Sequence, residues 1–282
     1  MCDAGREESK ISATLSQKTF RFAPSPNGYL HLGHAYSALL NFDLARACGG
    51  RFLLRIEDID RSRARPEYEA AIYEDLAWLG LSWETPVRRQ SEHFDDYARA
   101  LEKLDALGLL YACDCTRGDI SRAVADRKDW PRDPDGAPLY PGTCRDKTRR
   151  PAREILREGG VALRLDSAKA TAAAEWGDAV LARKDVPASY HIAVVVDDAL
   201  QGVTDVVRGK DLAPATSLHR LLQRLLGLPE PAYRHHDLVL DEQGGKLSKS
   251  KLSKSLRQLR AEGVTAEDVR RMVRLGARTL LP

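Results

Sequence analysis

Apolar positions in the first hundred residues fall into short continuous runs that alternate with longer stretches of helical spacing. Lys18 to Ala23 and Arg51 to Glu57 read as buried strands. The apolar run Ala35 to Ala47 between them reads as a helix that stops at Gly49-Gly50, which gives a βαβ unit. Pro66 suits the first turn of a helix running to about Leu79, because Tyr68, Ile72, Leu76 and Leu79 share one face. Phe94 to Leu107 repeats that pattern and ends at Gly108. Thr116 to Arg153 is rich in Asp, Arg, Pro and Gly without a convincing core element, which marks an insertion.

Strand-like runs return at Val161 to Leu165 and Ala179 to Arg183. The run HIAVVVDD, His191 to Asp198, is apolar enough to predict a fully buried strand in the middle of a parallel sheet. Val203 to Val207 follows as a strand, Leu212 to Leu226 as a helix, Tyr233 to Leu240 as a last strand, and Leu256 to Leu280 as two short helices. The expected class is α/β. Its Rossmann-type parallel sheet is split by the insertion and followed by a short helical C-terminal region. The divisions fall at 1–17 (loose extension), 18–110 (first half of the sheet domain), 111–187 (insertion), 188–245 (second half) and 246–282.

Composition changes this picture little. A chain of 282 residues can bury a sizeable core, and a net charge of +3 does not announce a nucleic-acid partner. The distribution is more informative, since residues 246–282 carry +7 and the remainder −4, a basic tail suited to a phosphate backbone. No apolar stretch approaches the ~20 residues that span a bilayer. The N-terminus MCDAGREESK lacks a signal-peptide core, so a cytoplasmic location is expected.

Two stretches carry the chemistry. Residues 21–34 read RFAPSPNGYLHLGH and place His31 and His34 at the start of a helix, where unpaired backbone N–H groups and the helix dipole favour phosphate. Residues 246–250 read KLSKS, two lysines on a loop led by Gly244-Gly245 and repeated at once as KLSKS over 251–255. Taken alone, HxGH also fits a histidine cap and KLSKS a solvated basic loop. In this order within one α/β chain they point to ATP chemistry at the α-phosphate.

With these motifs the chain resembles the class I aminoacyl-tRNA synthetases, HLGH standing for their first signature and KLSKS for their second. RFAPSP, RIEDID (Arg55 to Asp60) and VVRGKDL (Val206 to Leu212) are similar to the glutamyl subgroup. The resemblance implies that His31, His34, Lys246 and Lys249 act on the triphosphate of an ATP carrying Mg2+, with Pro24 and Gly33 beside the nucleotide. It also implies that Arg21, Ser25, Glu57, Tyr190 and Arg208 bind L-glutamate, the arginines holding the γ-carboxylate and Glu57 the α-ammonium. Arginine suits that task because its planar fork matches a carboxylate.

Three of the five cysteines lie in the insertion: Cys113 and Cys115 in CDC, and Cys144 in YPGTC. In a reducing compartment such a cluster favours a metal over a disulfide, and three thiolates suit zinc. No histidine lies between His93 and His191, so the fourth ligand is a phenolate from Tyr140, an Asp or water. The glutamyl-type synthetases resemble this arrangement, and the resemblance assigns Cys113, Cys115, Tyr140 and Cys144 to one structural zinc.

The chain ends about thirty residues after KLSKS, where full glutamyl-tRNA synthetases continue into an anticodon-binding domain. In this it resembles a shorter branch of the glutamyl group, which activates glutamate without tRNA and transfers it to queuosine in the anticodon loop of tRNA(Asp). A monomer is expected. The alternatives are a minimal synthetase charging tRNA(Glu), a non-catalytic tRNA-binding paralogue and a small-molecule nucleotidyltransferase. The intact HLGH and KLSKS disfavour the second, and RFAPSP with VVRGKDL argues against the third.

Overall fold

Strands with helices between them build the first third of the chain: β1 (Thr19–Phe22), α1 (Leu32–Ala47), β2 (Arg51–Ile56), α2 (Pro66–Trp78), β3 (Glu84–Arg89) and α3 (Phe94–Ala106). Next come β4 (Leu110–Cys113), α4 (Arg117–Ala123), α5 (Ala152–Glu158), β5 (Ala162–Leu165), α6 (Ser167–Ala170) and β6 (Val180–Ala182). The remainder is α7 (Tyr190–Leu200), β7 (Asp205–Gly209), α8 (Ala215–Leu226), β8 (Ala232–His236), α9 (Leu256–Ala261) and α10 (Ala266–Met272). This computed structural model describes residues 17–147, 150–171, 174–239 and 254–273.

Five strands form one sheet in the order β3-β2-β1-β7-β8, every pair parallel. Among the described residues, the segment between β3 and β7 contributes no strand to it. Instead β4, β5 and β6 make a separate antiparallel sheet, so the strands expected at 161–165 and 179–183 stand outside the parallel one.

Side-chain alternation explains how the parallel sheet divides its partners. Phe20, Phe22, Phe52, Leu54 and Ile56 share a core with α1 and α2. Leu256, Leu259, Val269 and Val273 join that core, which fastens the two C-terminal helices to the same face. Arg21 and Arg55, one position out of phase, turn to the other face and meet the acidic end of α7. Gly50 is needed at the entry to β2, because a Cβ there would stand 2.6 Å from the Lys18 carbonyl oxygen.

The run HIAVVVDD is a helix, not the central strand that its composition predicts. α7 is buried from Ile192 to Asp198 and packs against α3 and α8. Burial on nearly every side removes the polar face that reveals a helix, and periodicity cannot distinguish such a segment from a buried strand. Usable signals lay at the ends, with Ser189 before the run and Gly202, at φ +65°, just after it. β1 occupies the centre of the sheet instead. β3 and β4 are additional strands. β3 escapes a hydrophobicity pattern because ETPVRR is a partly exposed edge. The last strand is shorter than expected, and the second C-terminal helix is described only to Met272.

Strand order reverses between β1 and β7. In open parallel sheets the crevice at the carboxyl ends of strands flanking such a reversal is the usual ligand site.

Candidate active site

A cavity of about 550 Å³ opens at that reversal. Arg21 from β1, Pro24 and Ser25 just beyond it, Glu57 beyond β2, Tyr190 from the first turn of α7 and Arg208 near the end of β7 all line it. His31, Gly33 and His34 line it as well. Residues far apart in sequence therefore reach one chamber. Lys246 and Lys249 lie outside the described residues.

His31 and His34 open α1 as a reciprocal cap. His31 Nδ1 accepts the Gly33 N–H at 3.1 Å, and His34 Nδ1 accepts the His31 N–H at 3.2 Å. Capping and chemistry are not alternatives here. With each Nδ1 held as an acceptor, a neutral ring must carry its proton on Nε2, so both imidazoles are donors from that atom. The rings sit 3.9 Å apart, centroid to centroid. Gly33 suits this packing, since a Cβ would fall 3.0 Å from His31 Cε1 and the ring would have to give way.

Beneath the glutamate-type residues lies a buried charge network that the motifs alone did not reveal. Arg55, wholly enclosed, donates from Nη1 to Asp198 Oδ1 at 2.8 Å and to Gln201 Oε1 at 3.0 Å. Arg21 Nε donates to the same Asp198 oxygen at 3.1 Å. Asp197, the adjacent residue of α7, accepts from Arg88 at 2.7 Å, Gln90 at 2.8 Å and Tyr97 at 3.0 Å. Burial alone would raise the Asp198 carboxyl, but Arg21 and Arg55 outweigh it and hold it below the usual range. Glu57 accepts from Arg55 at 3.4 Å and lines the cavity, so the salt bridge and the candidate ammonium site involve the same carboxylate. Burial pushes the Glu57 carboxyl up, against the pull of Arg55 and Arg21.

Arg208 differs from these arginines. It is buried, yet its partners among the described residues are all neutral: the Tyr190 hydroxyl at 3.2 Å, His219 Nδ1 at 3.2 Å, Thr216 Oγ1 at 2.9 Å and His235 Nε2 at 3.4 Å. A buried guanidinium without a carboxylate is costly unless an anion joins it. Its position on the cavity wall leaves it able to receive such an anion from a ligand. Thr216, His219 and His235 carried no sequence signal, because they come from α8 and β8 and acquire a role only when those elements pack around β7.

A second constellation lies in the insertion. The Sγ atoms of Cys113, Cys115 and Cys144 all fall within 4.8 Å of one another, and Cys115 and Cys144 are 3.5 Å apart. Tyr140 Oη stands 3.4 Å from both Cys113 and Cys115 Sγ and accepts the Cys144 N–H at 2.9 Å. Tetrahedral zinc with bonds of about 2.3 Å sets its sulfurs roughly 3.8 Å apart, so three thiolates with a phenolate at the fourth corner fit. The guanidinium carbon of Arg164 lies 3.9 Å from the centroid of the Tyr140 ring. Burial would raise the Cys113 thiol, but Tyr140 and Arg164 hold it below the ordinary range.

Comparison with known proteins shows the family of the chain. The family of class I tRNA synthetases (E and Q), catalytic domain, matches residues 18–279. The chain is 49% identical over 276 residues to the glutamyl-Q tRNA(Asp) synthetase of Rhodobacter capsulatus, covering 90% of this chain and 99% of that protein. It is 43% identical to the protein of the same name from Nitratidesulfovibrio vulgaris, covering 88% and 83% respectively. Among solved structures it is similar to the glutamate tRNA ligase of Elizabethkingia meningosepticum in complex with its amino acid, with TM-score 0.66 and 30% identity. That similarity covers 83% of this chain and 52% of the ligase, so the chain spans about half the length of that structure.

Proposed function

The chain belongs to the class I tRNA synthetases of the glutamate and glutamine group, and on that premise we propose that it activates L-glutamate with ATP and transfers it to queuosine in tRNA(Asp). The observation that carries this reading is Arg208, a buried cation whose hydrogen-bond partners among the described residues are neutral, on the wall of a cavity that also holds the His31–His34 pair.

In the proposed reaction an oxygen of the glutamate α-carboxylate attacks the α-phosphorus of ATP, pyrophosphate leaves, and glutamyl-adenylate remains. Side chains have little covalent work in such a displacement, so positioning and charge stabilisation dominate. Arg208 with Tyr190, assisted by Arg21, receives the γ-carboxylate. Glu57 receives the α-ammonium, and Ser25 is a further contact to the glutamate. The Nε2–H donors of His31 and His34 meet the phosphates at the N-terminus of α1, with Pro24 and Gly33 beside the nucleotide. Lys246 and Lys249 contribute charge to the β- and γ-phosphates, and Mg2+ enters with ATP. In the second step a hydroxyl of the queuosine cyclopentenediol attacks the activated carbonyl and AMP departs.

The cysteine cluster is read as one structural zinc held by Cys113, Cys115, Tyr140 and Cys144, stabilising a segment with a small core of its own. The protein is read as a cytoplasmic monomer, the location matching its tRNA substrate. No helix among the described residues is long and apolar enough to cross a membrane.

Two measurements test the proposal. Glutamate-dependent exchange of pyrophosphate into ATP should proceed without tRNA. Mass-spectrometric mapping of labelled glutamate should find it on the queuosine nucleoside of tRNA(Asp); label on the 3′ end of tRNA(Glu) would overturn the acceptor assignment, and no exchange would overturn the whole.

A further inference from the structure

We propose that His219 and His191 form a neutral hydrogen-bond relay that locks the Arg208 guanidinium in its carboxylate-binding pose, making both histidines positioning residues for substrate selection. The inference rests on the reading of Arg208 as the carboxylate anchor. A guanidinium can only donate, which fixes the direction of every bond behind it. His219 Nδ1, 3.2 Å from Arg208 Nη1, must accept. Its proton therefore sits on Nε2, which lies 3.2 Å from His191 Nδ1 and donates to it. His191 in turn carries its own proton on Nε2. The chain of bonds has one direction and admits one tautomer for each ring.

The same logic surrounds the rest of the fork. His235 Nε2 accepts from Arg208 Nε at 3.4 Å and stands 3.1 Å from Thr216 Oγ1, which itself accepts from Arg208 Nη2 at 2.9 Å. The Tyr190 hydroxyl oxygen accepts the other Nη1 hydrogen at 3.2 Å. These bonds use Nε, both hydrogens of Nη1 and one of Nη2. One Nη2 hydrogen and the hydroxyl hydrogen of Tyr190 remain for an incoming ligand. A carboxylate, which only accepts, satisfies both. A carboxamide presents donors of its own on one side.

The surroundings keep the relay uncharged. His219 is 1% exposed, and Trp176 lies edge-on to His191 at 5.0 Å between centroids. Burial and the nearby Arg208 charge lower the His191 imidazole to about 4 and His219 well below its ordinary value. A protonated His219 would have no lone pair for Arg208, so neutrality is a condition of the arrangement.

The test uses the whole protein. Wild type must first support glutamate-dependent pyrophosphate exchange; if it does not, the functional reading fails and not this inference. In an active background, His219→Leu should raise the glutamate KM on the order of tenfold or more, because a charged donor loses its acceptor. The KM for ATP should hardly move. His219→Asn, whose Oδ1 can stand where Nδ1 stood, should recover most of that loss, whereas a purely packing role predicts no such rescue. His191→Phe should produce a smaller rise in the same direction. Nitrogen-15 NMR of the histidine-labelled, ligand-free wild type should show both rings as neutral Nε2–H tautomers, a readout that survives even if His219→Leu fails to fold. An Nδ1–H tautomer at His219, or an unchanged glutamate KM in a folded His219→Leu, would overturn the relay.

Discussion

Ser255 pairs with His31 in an isolated antiparallel bridge, and the residue after it, Leu256, donates its backbone N–H to Leu30 O at 2.8 Å. The last serine of the tandem KLSKS repeat is thereby fastened to the imidazole cap of α1. Leu256 and Leu259 then bury themselves in the core that α1 shares with the sheet. Residues 246–253 lie outside the described set; Ser255, which follows them, is fixed beside the histidines that line the cavity.

Lys249→Ala should therefore lower the rate of glutamate-dependent pyrophosphate exchange by roughly a hundredfold, the scale for removing one group that meets charge in a transition state. The glutamate KM should change far less, because Lys249 is not among the residues proposed to hold glutamate. Steady-state exchange kinetics with glutamate and ATP varied separately check this. An unaltered rate would remove Lys249 from the mechanism and direct attention to Lys254, whose Nζ pairs with Glu262 at 2.6 Å here.

Arg208→Lys should raise the glutamate KM by on the order of ten- to a hundredfold despite keeping the charge. An ammonium has three donors at one point and cannot reproduce a planar fork engaged with Tyr190, Thr216, His219 and His235. Exchange kinetics measure the effect, and thermal melting separates it from misfolding. A glutamate KM equal to wild type would place the γ-carboxylate elsewhere.

The opening βαβ unit was legible because its strands are continuous apolar runs and α1 stops at a glycine pair. Arg21, Glu57, His31 and Arg208 were legible as candidates because motifs carry them, and all reach one cavity. α7 reads as a strand in the sequence because a helix buried from Ile192 to Asp198 shows no polar stripe. A strand reading leaves out its last turn, where Asp198 accepts from Arg21 and Arg55. His219 and His235 were illegible for a related reason. Each sits on a different element, and what makes them matter is a hydrogen bond to Arg208 that exists only after packing.

Asp75 supplies a stability prediction with a definite sign. It is a fully buried residue of α2 beside α9, neither carboxylate oxygen has a hydrogen bond, and Arg260 comes only to 3.8 Å. Burial raises its carboxyl to about 6, against the pull of Arg260. With the folded value above the unfolded one, ionised Asp75 destabilises the fold above about pH 6, and the penalty vanishes as pH falls below about 4, where both states are protonated. Asp75→Asn should thus stabilise by about 1–2 kcal/mol at pH 8, discounted from the full shift for relaxation of the site, and by almost nothing at pH 4. Denaturant unfolding of both proteins across that range measures the difference. A gain independent of pH would show that charge is not its origin.

Zinc removal should separate the two halves of the reaction. Tyr111, Cys113, Tyr140 and Cys144 form a small buried cluster distinct from those that pack the parallel sheet, so the cysteine segment depends on its own centre for order. Metal analysis of purified protein should find about one zinc per chain, as a four-ligand structural site requires. Chelation should open residues 113–147 to limited proteolysis while glutamate-dependent pyrophosphate exchange, which draws on the cavity of the parallel sheet, persists. Transfer to tRNA should fall, because the resemblance to the glutamyl-type synthetases implies that this zinc segment approaches the tRNA. Tyr140→Phe should weaken zinc without abolishing it, as three thiolates remain, whereas Cys144→Ser should lose both a ligand and the compact geometry. Zinc-free protein with an intact, protease-resistant insertion would overturn the metal assignment and leave the cysteines as buried thiols.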